Sequence, residues 1–259
     1  MNFRSLEVFI KCLHMLSYRF LNGRGSYNAI KIFPTVEKVC KEKNAPLLLT
    51  SIYDVEGNML RNSNFAKRAH EMYSKALEVL LTSDSSQDRD RMLARSYSTL
   101  GNSSLAMNDV AKSLHYHQQG LLLQEKLTAL HNELVFGNTL ALAYINASWA
   151  YWKSGQLDKG SEIVEKALKL IDNLNKAPNK VWARRSWGLR VLGNIRIAQK
   201  RDAEGFEIHQ EAFKIQINHF GYEHHDTGDL CYKLSYHYHH FSNTPEAIKY
   251  LKAALNVYK

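Results

Sequence analysis

The chain has 259 residues, is 45% hydrophobic and carries a formal net charge of +9. That length suits one large domain or two small ones, and a basic balance speaks of partners rather than of fold. Its 4 prolines, its Leu/Ala/Lys/Glu-rich texture and its lack of alternating Val/Ile/Thr runs argue against a sheet-based fold. Lys and Arg are dispersed, with no run of five or six, which disfavours nucleic-acid and polybasic-membrane binding.

The opening segment, MNFRSLEVFIKCLHMLSYRFL, is apolar but broken by Arg4, Glu7, Lys11 and Arg19. It falls short of the ~18 apolar residues of a spanning helix and has no small-residue cleavage site. It reads as an amphipathic packing helix, and no membrane association is expected. Paired helices follow along the whole chain, at 5–22 and 27–43, 46–62 and 65–81, 90–107 and 109–127, 133–154 and 157–174, 180–200 and 203–218, and 227–241 and 245–258. SDSSQDRD (83–90) and NLNKAPNK (173–180) are polar loops with turn chemistry, and neither is long enough to separate domains. A single domain over 1–259 is expected, with repeats at 5–43, 46–81, 90–127, 133–174, 180–218 and 227–258. Cys12, Cys40 and Cys231 lie far apart with no CxxC, so the chain suits a reducing interior: the cytoplasm, with the nucleus also open.

The repeat shows in small residues. Ser17, Gly57, Gly101, Ser148, Gly193 and Ser235 recur at steps of 40, 44, 47, 45 and 42. Twelve residues after each stand Ala29, Ala69, Ser113, Gly160, Gly205 and Ala247. Seven further on stand Val36, Ala76, Gly120, Ala167, Ala212 and Ala254. Four after the second column come Phe33, Tyr73, His117, Val164, His209 and Leu251. Spacings of three, four and seven mark one helix face, and small residues let two helices approach closely. Each unit is therefore helix, tight turn, helix. One pair cannot bury its apolar face alone, so the pairs must stack. Ser104 and Arg196 depart from an otherwise bulky column three after the first, which leads us to expect looser packing in those two repeats.

These columns resemble those of the tetratricopeptide repeat family, most closely in YDVEGNML...AHEMYSKAL, YSTLGNSS, NASWAYWKSGQLDKGSEIVEKAL and VLGNIRIAQKRDAEGFEIHQEAF. The resemblance covers about residues 5 to 258. Steps longer than the usual ~34 bring the chain closer to the long-repeat subgroup typified by kinesin light chain. In the loop Gly-x-x-His-Pro-x-Thr of that subgroup, Gly221, His224 and Thr227 match and His225 replaces the proline. The texture also resembles tetratricopeptide arrays of filamentous fungi. The resemblance implies an all-α fold, an α-solenoid in which about six units form a right-handed superhelix. It also implies that the first helix of each pair lines the concave groove.

On that basis the groove column one residue after each first small residue holds Tyr18, Asn58, Asn102, Trp149, Asn194 and Tyr236. Three before it stand His14, Asp54, Ser98, Ile145, Arg190 and Tyr232. Six before it stand Lys11, Ser51, Arg95, Leu142, Trp187 and Asp229. Four after it stand Leu21, Arg61, Leu105, Trp152, Ile197 and His239. Asn58, Asn102 and Asn194 can grip an extended peptide backbone through donor and acceptor together. Arg61, Arg95 and Arg190 can take carboxylates. Trp149, Trp152, Tyr232, Tyr236 and His239 supply rigid anchors. Each of these residues has a structural alternative, as an inter-repeat hydrogen bond or a packed aromatic.

No P-loop, dinucleotide, nucleophile-elbow or zincin motif is present, so no enzyme and no cofactor are expected. The expected function is a protein-binding scaffold for a peptide or partner protein. The alternatives are a sensor or regulatory array acting with a larger receptor or enzyme and, more weakly, RNA binding. Leu251, Leu255 and Tyr258 near the final residues would be partly bare, which fits a fragment of a longer protein or end-to-end self-association. The stretch GYEHHDTGDLCYKLSYHYHH (221–240) looks at first like a metal site. The repeat register reads it instead as a loop and first helix, with Asp226 and Asp229 as cap and first-turn charge and no metal ligand set.

Overall fold

The computed structural model describes residues 5, 7–12, 31–131, 133–174 and 182–258, and among these no strand occurs. After a helical stretch at 7–12 come α1 (Phe33–Glu42), α2 (Pro46–Asn62), α3 (Ala66–Thr82), α4 (Gln87–Ala106) and α5 (Val110–Leu130). There follow α6 (Glu133–Lys153), α7 (Leu157–Leu174), α8 (Trp182–Ala198), α9 (Asp202–Phe220), α10 (His225–His240) and α11 (Thr244–Val257). The fold is an all-α solenoid of helix pairs. Ser17, Ala29 and the expected groove residues His14, Tyr18 and Leu21 lie outside the described residues.

Boundaries differ from expectation where local chemistry sets them. α1 begins at Phe33, with Pro34 in its first turn, where a missing N–H costs nothing; the expected helical residues 27–30 lie outside the described residues. α4 begins at Gln87 rather than 90. Its cap is Ser86, whose Oγ accepts from the Arg89 N–H at 3.1 Å, with Asp88 and Asp90 in the first turn. α10 begins at His225 rather than 227, capped by the His224 ring, whose Nδ1 accepts from the Asp226 N–H at 3.2 Å. The Thr227 hydroxyl donates to the Gly221 carbonyl at 2.7 Å and ties the loop together.

The chain forms two compact units, Met1–Leu127 and Thr128–Lys259. In the first, α1 packs on α2, α2 on α3 and α3 on α4. Its core joins Ile10, Phe33, Cys40, Ile52, Val55 and Met59, with Leu60, Tyr73 and Leu100 beyond. The Tyr53 hydroxyl donates to Glu37 at 2.8 Å and braces α2 against α1. In the second unit each helix from α6 to α11 packs on the next, and α8 also touches α6. Its core is one cluster running from Ala141 and Ile145 through Val164, Ile171, Leu189 and Ile195 to Leu230 and Leu234.

Every described member of the three small-residue columns is buried. The reason is close approach. A Cβ built on Gly57 would lie 2.4 Å from the Tyr73 ring, one on Gly101 2.6 Å from the His117 ring, and one on Gly193 2.4 Å from the His209 ring. The small first column thus receives the ring that stands four residues after the second column. Looser packing is not found at Arg196. Its side chain is 12% exposed and bonds to Ser161 at 2.6 Å, Glu165 at 2.7 Å and Gln199 at 3.0 Å. Ser104 is fully buried. A long cation can bury its stem and still satisfy its head, which a bulky-residue count does not register.

A further column, seven residues after the first, escaped the sequence reading. Asn64, Asn108, Gly155, Lys200 and Ser242 all have φ between +59 and +78. Each sits in the short turn of a pair, and the next residue's N–H returns to the carbonyl of Leu60, Ser104, Tyr151, Arg196 or Tyr238. Asn and Gly tolerate this left-handed backbone, whereas Lys200 and Ser242 adopt it under the constraint of the packed helices.

The ring contact makes a clean test. Gly101→Ala would gain about 1 kcal/mol of helix propensity but lose about 1–3 kcal/mol to overpacking. Chemical denaturation should therefore show net destabilisation. In a His117→Ala background the same substitution should turn neutral or stabilising, and an unchanged penalty there would exclude the ring as its cause.

Candidate functional site

The expected groove residues fall on the first helices α2, α4, α6, α8 and α10, and the two units treat them differently. On α2, Asn58 is 9% exposed, and its Oδ1 accepts from the Tyr73 hydroxyl at 2.9 Å, so it serves its own helix pair. Asp54, one turn earlier, is 7% exposed, and its Oδ1 finds no hydrogen-bond partner among the described residues. Ser51 bonds back to the Leu47 carbonyl at 3.0 Å. Arg61 on α2 and Arg95 and Asn102 on α4 are exposed, the last two seven residues apart on one face. Burial raises the Asp54 carboxyl to a pKa of about 6, with the Arg95 charge pulling the other way.

In the second unit the residues form a connected row. The Trp149 and Trp152 rings on α6 meet edge to face with centroids 5.1 Å apart. The Arg190 guanidinium on α8 lies 5.8 Å from the Trp149 centroid, and Lys153 Nζ lies 4.3 Å from that of Trp152. Arg190 Nη1 donates to Asp226 Oδ1 at 3.2 Å and to Asp229 Oδ2 at 2.9 Å. Trp187 Nε1 donates to the other Asp226 oxygen at 3.0 Å, and the Tyr258 hydroxyl to the other Asp229 oxygen. Arg190 is thus committed to α10 inside the protein. Asp226 is not the helix cap that the sequence suggested; it is the acceptor that joins α8 to α10. His225, Asp226 and Asp229 place ligand-type atoms within 4.8 Å of one another, but both carboxylates already serve Arg190.

Asn194 is 5% exposed, and its Oδ1 accepts from Lys233 Nζ at 2.7 Å. Lys233 on α10 was not singled out from sequence. It belongs to no small or bulky column, and nothing in the chain marks it. Tyr232 and Tyr236 are 61% and 54% exposed, and His239 is exposed beside them, at spacings of four and three along one face of α10. Behind this face His209 Nδ1 and His237 Nε2 meet at 2.9 Å in the core, and His209 Nε2 contacts the Arg190 carbonyl at 3.2 Å. Burial pushes the two imidazoles down to about 3 and about 4, so the pair is neutral and its rings share one proton between facing nitrogens.

Residues 141–173, which span the second half of α6 and most of α7, match the family model of the tetratricopeptide repeat. Among proteins of curated description none matches the chain. Solved structures do. The TPR-like repeats ascribed to a kinesin light chain of Podosopora anserina share 17% identity at a TM-score of 0.58, covering 82% of this chain and 95% of that one. The apo form of RapI shares 12% at a TM-score of 0.73, covering 99% and 84%. The Rap conjugation gene regulator of plasmid pLS20, in complex with the Phr* peptide, shares 12% at 0.65, covering 83% of this chain and 55% of that one. At such identities the likeness speaks for the fold. The fold is that of a helical-repeat protein, and the stretch 141–173 carries the tetratricopeptide pattern. Its solved neighbours include both the kinesin-light-chain-like repeats that the step lengths point to and the Rap proteins.

Asp54 gives a prediction with a defined sign. Its folded pKa, about 6, stands above its ordinary 3.8, so its contribution to stability is full below 3.8 and is lost as pH rises through 6. Asp54→Asn removes that loss. Denaturation at neutral pH should show the variant more stable by about 1–2 kcal/mol, and the gain should fade as the pH falls toward 4. A gain independent of pH would mean that the buried charge is not its origin.

Proposed function

We propose that the chain is a non-catalytic scaffold that holds an extended peptide, or an extended segment of a partner protein, on the first-helix face of its repeats. The observation that carries this reading is the row Tyr232, Tyr236 and His239. Two tyrosines and a histidine stand largely in water on one face of α10, with the Tyr236 ring resting against its helix neighbours His237 and His240. Tyrosine buries a large area for little lost rotamer freedom, which suits it to anchor a ligand. Trp149 and Trp152 on α6 add half-buried aromatic surface. In the first unit the exposed Asn102, Arg61 and Arg95 supply the polar contacts of the same reading. The fold of a Rap regulator solved with a peptide supports the ligand class.

The same reading takes 1–259 as a single array. It places the protein in the cytoplasm or nucleus, in keeping with three free cysteines. No helix among the described residues is long and apolar enough to cross a membrane. Peptide arrays probed with the whole chain test the groove. Tyr232→Ala/Tyr236→Ala should weaken capture about tenfold, and Asn102→Ala less. Asn58→Ala is a poor probe, since it also strips Tyr73 of its partner. Equal capture by wild type and the double-tyrosine variant would sink the reading. Capture that vanishes along a steep log–log slope in salt would point to phosphate contacts instead.

End-to-end self-association belongs to the same proposal. Ile248, Leu251, Leu255 and Tyr258 form an exposed stripe on α11 and the residue beyond it. Sedimentation should show a concentration-dependent dimer that Leu251→Lys/Leu255→Lys abolishes. A monomer at all concentrations would end this part of the proposal.

A further inference from the structure

We propose that Lys233 is a covalent modification site for carbon dioxide, which its side-chain nitrogen takes up as a carbamate held by Asn194 and Arg190. The chemistry is independent of what the first-helix face binds.

Donors outnumber acceptors at this point of the second unit. Lys233 reaches from α10 to α8, where its Nζ donates to Asn194 Oδ1 at 2.7 Å. Asn194 is 5% exposed, and its Nδ2 is buried without a partner among the described residues. One turn earlier on α8, Arg190 Nε is buried and equally unpartnered, while Nη1 donates to Asp226 and Asp229. Buried N–H groups without acceptors are uncommon in native proteins. An ammonium cannot relieve them, since it carries donors and no acceptor. A carbamate can. It keeps an N–H for Asn194 Oδ1 and adds two acceptor oxygens on the same rigid group, the first for Asn194 Nδ2 and the second for Arg190 Nε. With the Asn194 amide it closes a ring of paired hydrogen bonds, and those to its anionic oxygens are charge-assisted.

Charge favours the same product. Arg190 on α8 and Lys153 on α6 repel the Lys233 ammonium, and Asp229 on α10 attracts it. Asp229 is itself engaged by Arg190 through one oxygen and by Tyr258 through the other. The imidazoles of His209 on α9 and His237 on α10, which also feel Lys233, are buried and neutral. Burial first, and then these cations, push Lys233 down to about 8. Roughly a tenth of it is therefore free amine at pH 7, roughly three hundred times the share of an ordinary lysine. The free amine is the reacting form. Its lone pair attacks the carbon of carbon dioxide and the N–C bond forms. One C=O electron pair moves onto oxygen, and the nitrogen passes a proton to water. No oxidant, reductant or leaving group takes part. The adduct sets a negative charge where a positive one stood, and the neighbouring Arg190 and Lys153 stabilise it. Lys233 is half-buried, so a solute as small as carbon dioxide reaches the nitrogen from water.

The test uses the whole chain under a fixed pressure of isotope-labelled carbon dioxide. Carbon NMR should show a carbamate resonance besides that of the N-terminal amine. Trapping with a trialkyloxonium salt, followed by digestion and mass spectrometry, should place the added carboxyl group on Lys233. Lys233→Arg keeps the charge and should lose the resonance. Asn194→Asp keeps the acceptor for Lys233 but replaces the buried N–H with an anion, and should cut the yield at least about tenfold. Amide-signal dispersion checks that both variants fold. At constant carbon dioxide pressure the wild-type yield should climb between pH 7 and pH 9, as the ammonium gives way to the amine. An unmodified Lys233 under conditions that modify the N-terminal amine would overturn the proposal. So would equal yields on the exposed Lys166 and Lys252, a resonance that survives in Lys233→Arg, or a yield indifferent to pH. Peptide capture without the adduct upholds the groove and sinks this site, and the adduct without peptide capture does the reverse.

Discussion

Everything in this fold depends on how closely two helices of a pair can approach. Gly57, Gly101 and Gly193 each lie under a ring, of Tyr73, His117 and His209 respectively, at distances that leave no room for a single methyl group. The contact fixes the register of the pair, because shifting either helix by one residue would drive the ring into a side chain. It also fixes orientation. With one face of the first helix committed to its partner and the flanks committed to neighbouring pairs, the remaining face is turned away from the internal packing. The candidate binding residues are what is left on that face. In this sense the small-residue columns specify the site by subtraction.

What the face presents is not uniform, because the fold reuses some of it. Arg190 is spent on Asp226 and Asp229, which hold α8 to α10 alongside the hydrophobic packing. Asn58 is spent on Tyr73. Tyr232, Tyr236, His239, Asn102 and Arg61 remain exposed. A partly buried ion pair adds little net stability over a hydrophobic contact, but it penalises wrong registers strongly, since a displaced α10 would strand a charge. The network around Arg190 is best understood as a register device for the last pairs of the second unit, where the first small column holds Ser235 rather than glycine and the ring column holds the exposed Leu251.

Much of this was legible in the sequence, and the reason is physical. Packing at one helix face recurs every three or four residues and admits few residue types, so its signal adds up over the repeats. The left-handed turn column was not legible, because Asn64, Asn108, Gly155, Lys200 and Ser242 share a backbone conformation and no side-chain chemistry. Arg196 was misjudged for a related reason. A cation in a bulky column looks like a gap until Glu165 and Ser161, more than thirty residues away in sequence, are seen to meet it. The bond from Lys233 to Asn194 could not have been found at all, since its two ends come from different helices. Sequence periodicity reports contacts that repeat, and these polar contacts occur once.

The division between spent and unspent groups also bears on what Arg190 can still do. At Arg190 a ligand carboxylate must compete with two carboxylates already in place, and whichever aspartate it displaces is left half-buried without its cation. That costs about as much as the new bond returns. The guanidinium that looked from the sequence like a natural carboxylate receptor is therefore already occupied within the fold. A residue's chemistry makes it a candidate; whether it is available depends on the partners the fold has already given it.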